Sequence, residues 1–381
     1  MPIATKLPKV GTTIFTVMSQ LAQEHDAINL GQGFPDFDPP DALREALTKA
    51  ISQGHNQYAP MSGIAPLREQ IARKIRESYG RRVAVDTEIT VTSGATEAIF
   101  VAITASVRAG EEVIVLDPCY DCYEPAVELA GARCVHIHLR QPDFSVDWQR
   151  VREAITAKTR MLIVNTPHNP SGAVFSSTDL DELSRILAES GIVLLADEVY
   201  EHIVFDGALH QSVLRRPELA ARSFVVSSFG KTYHCTGWKV GYCIAPKPLT
   251  VEFRKVHQYL NFCTFHPAQW AFAEMLAKHP EHHQQLATFY QHKRDCFRKL
   301  LSASRFKLLD VPAGYFQLAD YSSIQQTDDL NFCDWLVHEA GMAAIPVSAF
   351  YETAPEARLV RFCFAKSDAT LQEAAERLCR L

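Results

Sequence analysis

The sequence lacks any apolar segment approaching the roughly 20 residues that a membrane helix requires. Its longest apolar runs, such as Met161–Val164 and Ile192–Ala196, have the length of buried strands. The first residues, MPIATKLPKVGTTIF, contain no basic region followed by an apolar core, so we expect no secretory signal. These absences predict a cytoplasmic protein that has no membrane partner.

Clustered charge of one sign is also missing. The 38 basic and 44 acidic residues leave a formal charge of −6, and no stretch concentrates either sign. Nucleic-acid grooves and membrane-surface patches both need clustered Lys and Arg, so we expect neither partner. With 381 residues that are 47% hydrophobic and 22% charged, the chain can bury a large core, and two packed domains are expected.

Thiol and metal motifs are sparse. Ten cysteines without a signal peptide are typical of reduced thiols in the cytosol. Cys119 and Cys122 have CxxC spacing, but a second pair for zinc and a thioredoxin-like context are both missing, so we expect no functional pair. His136 and His138 alternate along a predicted strand without a carboxylate or thiolate arrangement of metal spacing. We therefore expect packed histidines and no metal site.

Short β-branched runs alternate with amphipathic helical stretches. Several of the runs are apolar at consecutive positions, which a sheet covered on both faces requires. The alternation predicts an α/β protein with a mostly parallel sheet. The predicted strands are Glu88–Thr92, Glu112–Asp117, Arg133–Leu139, Arg160–Asn165, Ile192–Asp197, Ser223–Ser228 and Val240–Ala245, with helices such as Ala95–Arg108, Tyr123–Ala130 and Ser177–Glu189 between them.

The pattern changes from about Pro267. Residues 267–300 are predicted to be helical, with a break near His279-Pro280, because proline removes an internal hydrogen bond. The rest mixes predicted strands with helices: Tyr315–Ala319, Asp329–Glu339, Leu359–Phe364 and Thr370–Leu381. We predict a large cofactor-binding domain over residues 36–266, and a smaller α+β domain formed by residues 1–35 and 267–381.

Ligands of open α/β sheets bind beyond the carboxyl ends of the strands, so the residues that follow each strand are the candidates for chemistry. The turn Gly94-Ala95-Thr96 begins a helix, where it forms either an anion site or an ordinary N-cap. Tyr120 either stacks on a flat ring or packs in the core. Asn169 lies in a turn with two prolines and can present its amide to a bound oxygen.

Two ionisable residues also follow buried strands. Asp197 ends a fully apolar strand and calls for a cationic partner, and Tyr200 lies on the same face if a helical turn follows. Lys231 lies in a glycine-punctuated loop, where it is either a desolvated amine nucleophile or a solvated surface lysine. Ser228 and Lys239 flank it and can bind a phosphate.

In combination these segments resemble the class I/II aminotransferases of fold type I, which carry pyridoxal 5′-phosphate. The resemblance covers nearly the whole chain, and within the family it is greatest to bacterial methionine aminotransferases and the kynurenine–oxoglutarate (glutamine transaminase K) group. The segments that carry it, in the family's order, are Gly31–Phe37, Tyr58–Pro60 with Gly63, Ser93–Ala98, Asn169–Gly172, Asp197–Tyr200, Ser228 with Lys231, Gly237–Gly241 and Arg361–Phe364.

The resemblance implies a role for each matching residue. Lys231 forms a Schiff base with the cofactor and moves the proton of the substrate, and Asp197 pairs with the pyridine nitrogen. Asn169 and Tyr200 hold the ring oxygen, and Tyr120 stacks on the ring. The phosphate group is bound by Gly94, Ala95, Thr96, Ser228 and Lys239, and by Tyr58 of a neighbouring subunit, which implies a homodimer.

The family pattern also implies a substrate site for an amino acid and a 2-oxo acid. Arg361 binds the α-carboxylate with help from Asn169 and Gly33. Phe15, Tyr58 and Phe265, the last from the same or the partner subunit, favour an apolar, sulfur-containing or aromatic side chain, with methionine preferred. Lys239 stands where aspartate aminotransferases have arginine. The phosphate is therefore expected to pair with a single ammonium group rather than with two N–H donors of a guanidinium group.

Two other functions fit parts of the pattern. The same scaffold supports β-elimination from cysteine S-conjugates or cystathionine. A ligand-sensing regulator is a more remote alternative, since such proteins carry an N-terminal DNA-binding domain, and here the aminotransferase pattern begins within the first 35 residues.

Overall fold

The structure, a computed structural model, describes residues 3–381. None of the helices in this range has the length and apolarity needed to cross a membrane. The strands are β1 (Ile28–Asn29), β2 (Ile89–Thr92), β3 (Glu112–Asp117), β4 (Arg133–His138), β5 (Thr159–Asn165), β6 (Val193–Asp197), β7 (Ser223–Ser228), β8 (Gly241–Ile244), β9 (Lys307–Leu308), β10 (Phe316–Asp320), β11 (Met342–Ala343), β12 (Ile345–Pro346) and β13 (Leu359–Cys363).

The helices enclose these strands and connect them. They are α1 (Ile14–Glu24), α2 (Asp41–Ser52), α3 (Ala65–Tyr79), α4 (Val85–Glu88), α5 (Ala95–Ser106), α6 (Tyr123–Leu129), α7 (Trp148–Ala154), α8 (Ser177–Ser190), α9 (Pro217–Ala220), α10 (Phe229–Thr232), α11 (Lys247–Leu260), α12 (His266–Lys278), α13 (Glu281–Leu300), α14 (Asp329–Ala340) and α15 (Asp368–Leu378).

A seven-stranded sheet in the order β2-β8-β7-β6-β5-β3-β4 forms the centre of the molecule. β8 is antiparallel to both of its neighbours, and the other pairs are parallel. Strands such as β3 are buried at every position, since hydrophobic clusters cover both faces of the sheet. The predicted mostly parallel α/β sheet is confirmed.

A third hydrophobic cluster lies in the C-terminal part of the chain. There β10 pairs with β13 and β9, β13 also pairs with β12, and all of these pairs are antiparallel. The N-terminal segment joins this region, because β1 pairs with β11 and Met18 and Leu30 belong to its core. These contacts support the predicted division at residues 35 and 266, which stays a proposal; residues 1–2 lie outside the described part.

The predicted element bounds differ from the structure by one or two residues at most ends. β3 and β7 have the predicted bounds, and the helical region 267–300 is divided into α12 and α13 at His279-Pro280. The predicted helix Thr370–Leu381 instead begins at Asp368, where Ser367 caps its first turn, and it ends at Leu378. Bounds of this kind depend on caps rather than on hydrophobic periodicity.

Candidate active site

A cavity of about 380 Å³ opens at the edge of the central sheet where the parallel strands end. It is deep enough to hold a small aromatic cofactor together with a substrate. The sequence-predicted residues that line it come from nine segments of the chain: Phe15, Gly33, Gly94, Ala95, Thr96, Tyr120, Asn169, Asp197, Tyr200, Ser228, Lys231, Lys239 and Arg361.

Two predicted residues lie elsewhere. Tyr58 is 81% exposed and Phe265 is 52% exposed, and neither lines the cavity of this subunit. Tyr58 packs edge-on against Phe262, with ring centroids 5.2 Å apart. A role for either residue in the site therefore requires a second copy of the chain.

One end of the cavity is suited to an anion. Gly94 precedes α5 with a φ of +84°, and the free backbone N–H groups of the first helical turn point out of the helix. A Cβ atom at Gly94 would lie 3.3 Å from Lys239 Nζ, so the ammonium group lies against this turn. Ser228 supplies a hydroxyl at the same lining. These donors together are suited to an anion.

Lys231 is a partly buried amine that lines the cavity. Its Nζ donates to Gly33 O at 3.1 Å and lies near the rings of Tyr200 and Tyr315. Burial lowers the pKa of Lys231 to about 8. The sequence left open whether Lys231 is a surface lysine, and the structure excludes that alternative. A neutral fraction of this amine is available near neutral pH, as a nucleophile requires.

Asp197 is a buried carboxyl group without a charged hydrogen-bond donor among residues 3–381. It accepts from the Tyr123 hydroxyl at 2.7 Å and from the Val199 backbone N at 3.3 Å. Burial raises the pKa of Asp197 to about 6 despite these bonds. A cation brought into the cavity would compensate for this desolvation and keep the carboxylate ionised.

Arg361 is buried on β13 with part of its donor capacity free. Nη1 donates to Asn169 Oδ1 and Nη2 donates to Gly31 O, both at 2.8 Å. The Nε atom has no partner among the described residues, and burial lowers the pKa of Arg361 to about 10. Its guanidinium lies 3.9 Å from the centroid of Phe316. An unpaired buried donor is costly, so this group is arranged for an anionic ligand such as a carboxylate.

Several supporting residues were missed by the sequence reasoning. Tyr123 donates to Asp197, Tyr315 donates to Gly33 O at 2.7 Å, and Asn165 links Asp197 O to the Asn169 backbone N. Asp121 lines the cavity beside Tyr120. Asn165 stands at the end of β5, so the rule that chemistry follows strand ends could have found it. Tyr123 and Tyr315 act through tertiary contacts that spacing does not reveal.

The model of the family "Aminotransferase class I and II" matches residues 25–378 of the chain. The chain belongs to this family. The aminotransferase is 52% identical to the methionine aminotransferase of Escherichia coli, over 99% of this chain and 98% of that protein. It is 40% identical to a probable N-succinyldiaminopimelate aminotransferase of Mycobacterium tuberculosis (98% and 97% covered), and 33% identical to mouse kynurenine–oxoglutarate transaminase 1 (99% and 97% covered).

Solved structures agree with this assignment. The crystal structure of an Escherichia coli protein whose reactivity identified a methionine aminotransferase function matches with a TM-score of 0.98. That match has 51% identity and covers 100% of both chains. The aminotransferase has the fold type I architecture and uses pyridoxal 5′-phosphate, as this family does. The predicted fold class, enzyme class and cofactor are confirmed.

The residues around the cavity fit this cofactor. Asp197 matches a protonated ring nitrogen, the Lys231 amine matches an aldehyde, and the turn at Gly94 with Lys239 matches a phosphate group. The free Arg361 Nε leaves a donor for the substrate carboxylate. The lining therefore carries charged groups that complement both the cofactor and the substrate carboxylate.

Proposed function

We propose that this aminotransferase takes the amino group of L-methionine, or of a similarly apolar or aromatic L-amino acid, and transfers it to a 2-oxo acid. The observation that carries the proposal is the 52% identity to the Escherichia coli methionine aminotransferase over nearly the full length. The cavity supports it, since Phe15, Ile99 and Phe316 give it an apolar wall. Among the described residues that line it, Arg361 is the only arginine, so a second arginine for a distal carboxylate is not available there.

Arg361 and Asn169 bind and orient the substrate. The guanidinium pairs with the α-carboxylate through its free donors, and Asn169 Oδ1 keeps the fork in place through its 2.8 Å bond to Nη1. Phe316 covers one face of the guanidinium and excludes water from this pair. Fixing the carboxylate aims the Cα–H bond at Lys231, which is the positioning that such a proton transfer needs.

Lys231 and Asp197 carry the proton chemistry of the site. Bound pyridoxal phosphate supplies an electron sink for the substrate Cα and a carrier for the amino group. Lys231 Nζ would take the proton from the substrate Cα and hold it at the amine, for which a pKa of about 8 is suitable. Asp197 would hold the ring nitrogen proton of the bound cofactor, Tyr200 and Asn169 would hold its ring oxygen, and Tyr120 would stack on the ring; all four residues line the cavity.

We also propose that the enzyme is a cytoplasmic homodimer with shared active sites. Tyr58, Tyr259, Phe262 and Phe265 are exposed aromatic residues, and Tyr58 and Phe262 share one surface, with ring centroids 5.2 Å apart. Covering that surface with a second copy would bring Tyr58 to the partner's phosphate group and Phe265 to its substrate. All ten cysteines are free, which supports a reducing compartment.

A panel of L-amino acids with a common 2-oxo acid acceptor tests the proposal. We expect kcat/KM for methionine and for aromatic donors to exceed the values for aspartate and glutamate. Preference for a dicarboxylic donor would contradict it. Release of ammonia independent of the 2-oxo acid would favour β-elimination instead.

A further inference from the structure

A cluster of metal-ligating side chains lies outside the cofactor cavity. Glu124 on α6, His136 on β4 and Glu352 after β12 each direct one ligand atom to a common point, with all three atoms within 4.8 Å of one another. The sequence shows no carboxylate or thiolate arrangement of metal spacing near His136, because the two carboxylates approach it only in the folded chain. Folding brings together residues more than 200 positions apart, a proximity that spacing along the chain cannot reveal.

The histidine of this cluster is already oriented as metal-ligating histidines are. Its Nδ1 donates to both carboxylate oxygens of Asp117 at 3.0 Å, which leaves the lone pair on Nε2. The side chain is only 8% exposed, and Nε2 has no hydrogen-bond partner among the described residues. Nε2 instead faces Glu124 Oε1 at 4.0 Å. A carboxylate behind the far nitrogen is the usual second partner of a histidine that binds a metal.

Asp117 also organises a second member of the cluster. The backbone N of Glu352 donates to Asp117 Oδ2 at 3.2 Å. A single buried carboxylate thus fixes the ring of His136 and the main chain that carries Glu352. Two of the three ligand positions are held by one group that does not itself face the common point.

We propose that Glu124, His136 and Glu352 bind a divalent transition-metal ion, with zinc as the preferred ion. One imidazole nitrogen and two carboxylate oxygens form a donor set that suits zinc, with water as the fourth ligand. Bonds of about 2.0–2.2 Å require the ligand atoms to approach by roughly 1 Å. The carboxylate side chains are 31% and 46% exposed and can move that far.

Lys9 shows that the common point favours positive charge. Its ammonium lies 3.8 Å from Glu124 Oε1 and 3.8 Å from Glu352 Oε1, on a side chain that is 67% exposed. An exposed pair of this kind contributes little stability, so an incoming dication can displace it. Zinc and Lys9 therefore compete for the same two carboxylates.

The bound ion would join two parts of the fold. Glu124 and His136 belong to the region of the central sheet, while Glu352 belongs to the C-terminal region that also carries Arg361. Tyr120 and Asp121 line both the cofactor cavity and the pocket that contains the cluster. A metal ion that binds only the folded chain raises its stability, which gives a readout independent of catalysis.

Zinc titration of the holoenzyme, with calorimetry and metal analysis after dialysis, tests the proposal. We expect one zinc per subunit in wild type, and an affinity lower by on the order of 100-fold in Glu352→Gln and His136→Gln, because even outer partners of a ligand cost 10–100-fold. Lys9→Met should bind roughly 5-fold more tightly. His138→Gln is the matched control. His138 lies two positions after His136 on the same strand, and it packs on Tyr351.

Because cysteine thiols can also bind zinc, the comparison of wild type with Glu352→Gln decides whether the zinc is bound by this cluster. Thiols bind zinc wherever they are accessible, but their binding would be equal in wild type and Glu352→Gln. Equal stoichiometry and affinity in these two proteins overturns the proposal, and so does a lack of zinc binding in both wild type and Lys9→Met. Glu352 is exposed, so its substitution leaves the fold intact, and thermal stabilisation by zinc should be lost in that variant while His138→Gln keeps it.

Discussion

At the residue scale, Lys231 and Asp197 show what burial does to ionisable groups. Burial lowers the pKa of the amine to about 8 and raises the pKa of the carboxyl to about 6. In the cofactor-free chain both pKa shifts favour the neutral form of the side chain. A bound cationic ring would offset the cost of desolvating the Asp197 carboxylate. The site is therefore built for a ligand that completes its electrostatics.

Replacing Lys231 by alanine should abolish transamination and leave cofactor binding in place. We expect kcat to fall at least about 1000-fold, because the variant lacks the amine that removes the substrate proton. Steady-state kinetics and cofactor absorbance on the purified variant provide the measurements. Turnover near the wild-type rate would show that another group moves the proton.

Substitution of Asp197 by asparagine should have opposite effects on activity and on cofactor-free stability. Activity should fall on the order of 100-fold, since the ring nitrogen loses its anionic partner. The folded pKa of about 6 exceeds the unfolded value of 3.8, so the folded chain binds more protons between these values. The protonated carboxyl makes its full contribution to the free energy of unfolding below about pH 4. This contribution is lost as the pH rises through 6.

The cofactor-free Asp197→Asn protein should thus be more stable than wild type at pH 7.5, by up to about 3 kcal/mol. The difference should shrink as the pH falls toward 5. Urea unfolding of both cofactor-free proteins across this range is the measurement. A variant that is less stable at every pH would mean that Tyr123 and Val199 already compensate for the carboxylate.

Asp121 is predicted to exclude anionic donors. It lines the cavity, and burial raises its pKa while the Arg361 charge opposes that effect. Asp121→Asn should raise kcat/KM for glutamate about 10-fold relative to methionine, because a like-charge contact is removed. An unchanged ratio of the two donors would show that Asp121 lies too far from the substrate side chain.

At the element scale, the start of α5 depends on a glycine. Gly94 has a φ of +84°, and a Cβ there would lie 3.2 Å from Lys239 Cε. Gly241 on β8 is equally constrained, since its Cβ would lie 2.7 Å from Ser227 O. The phosphate end of the cavity therefore relies on close backbone approach rather than on side-chain length.

Gly94→Ala should weaken cofactor binding by about 10-fold or more, because it strains the turn and moves Lys239. Gly80→Ala is the matched control, since Gly80 has a φ of +73° and a Cβ added there would meet nothing within 4 Å. Both variants should lose similar stability, measured by thermal unfolding. Equal cofactor affinity in the two variants would show that the turn at Gly94 does not bind the phosphate.

The elements of the sheet were predictable for a physical reason. β3 and β6 each contain four consecutive apolar residues because helices cover both faces, and that pattern is local in sequence. Arg361 and Asn169 are a different case, since they pair across 192 positions. Only family resemblance linked them. Neither a local sequence pattern nor the family resemblance indicated the cluster at His136, because its residues come together only in the folded chain.

At the scale of the whole molecule, shared active sites predict complementation between two inactive variants. Tyr58→Ala and Lys231→Ala should each be weakly active alone, because each removes a group from every site. In mixed dimers, one site would keep both Lys231 and the partner's intact tyrosine at position 58. Re-association after mild unfolding should restore about one quarter of the wild-type activity. No recovery, in dimers verified by light scattering, would place Tyr58 outside the partner's site.

The central claim is that this chain transfers the amino group of methionine, and a single-turnover experiment tests it directly. Holoenzyme mixed with L-methionine in the absence of any 2-oxo acid should release one equivalent of 4-methylthio-2-oxobutanoate per active site, with the amino group retained on the cofactor. Addition of a 2-oxo acid should then return the cofactor to its starting absorbance. Absence of that product, or release of methanethiol and ammonia in its place, would contradict the account.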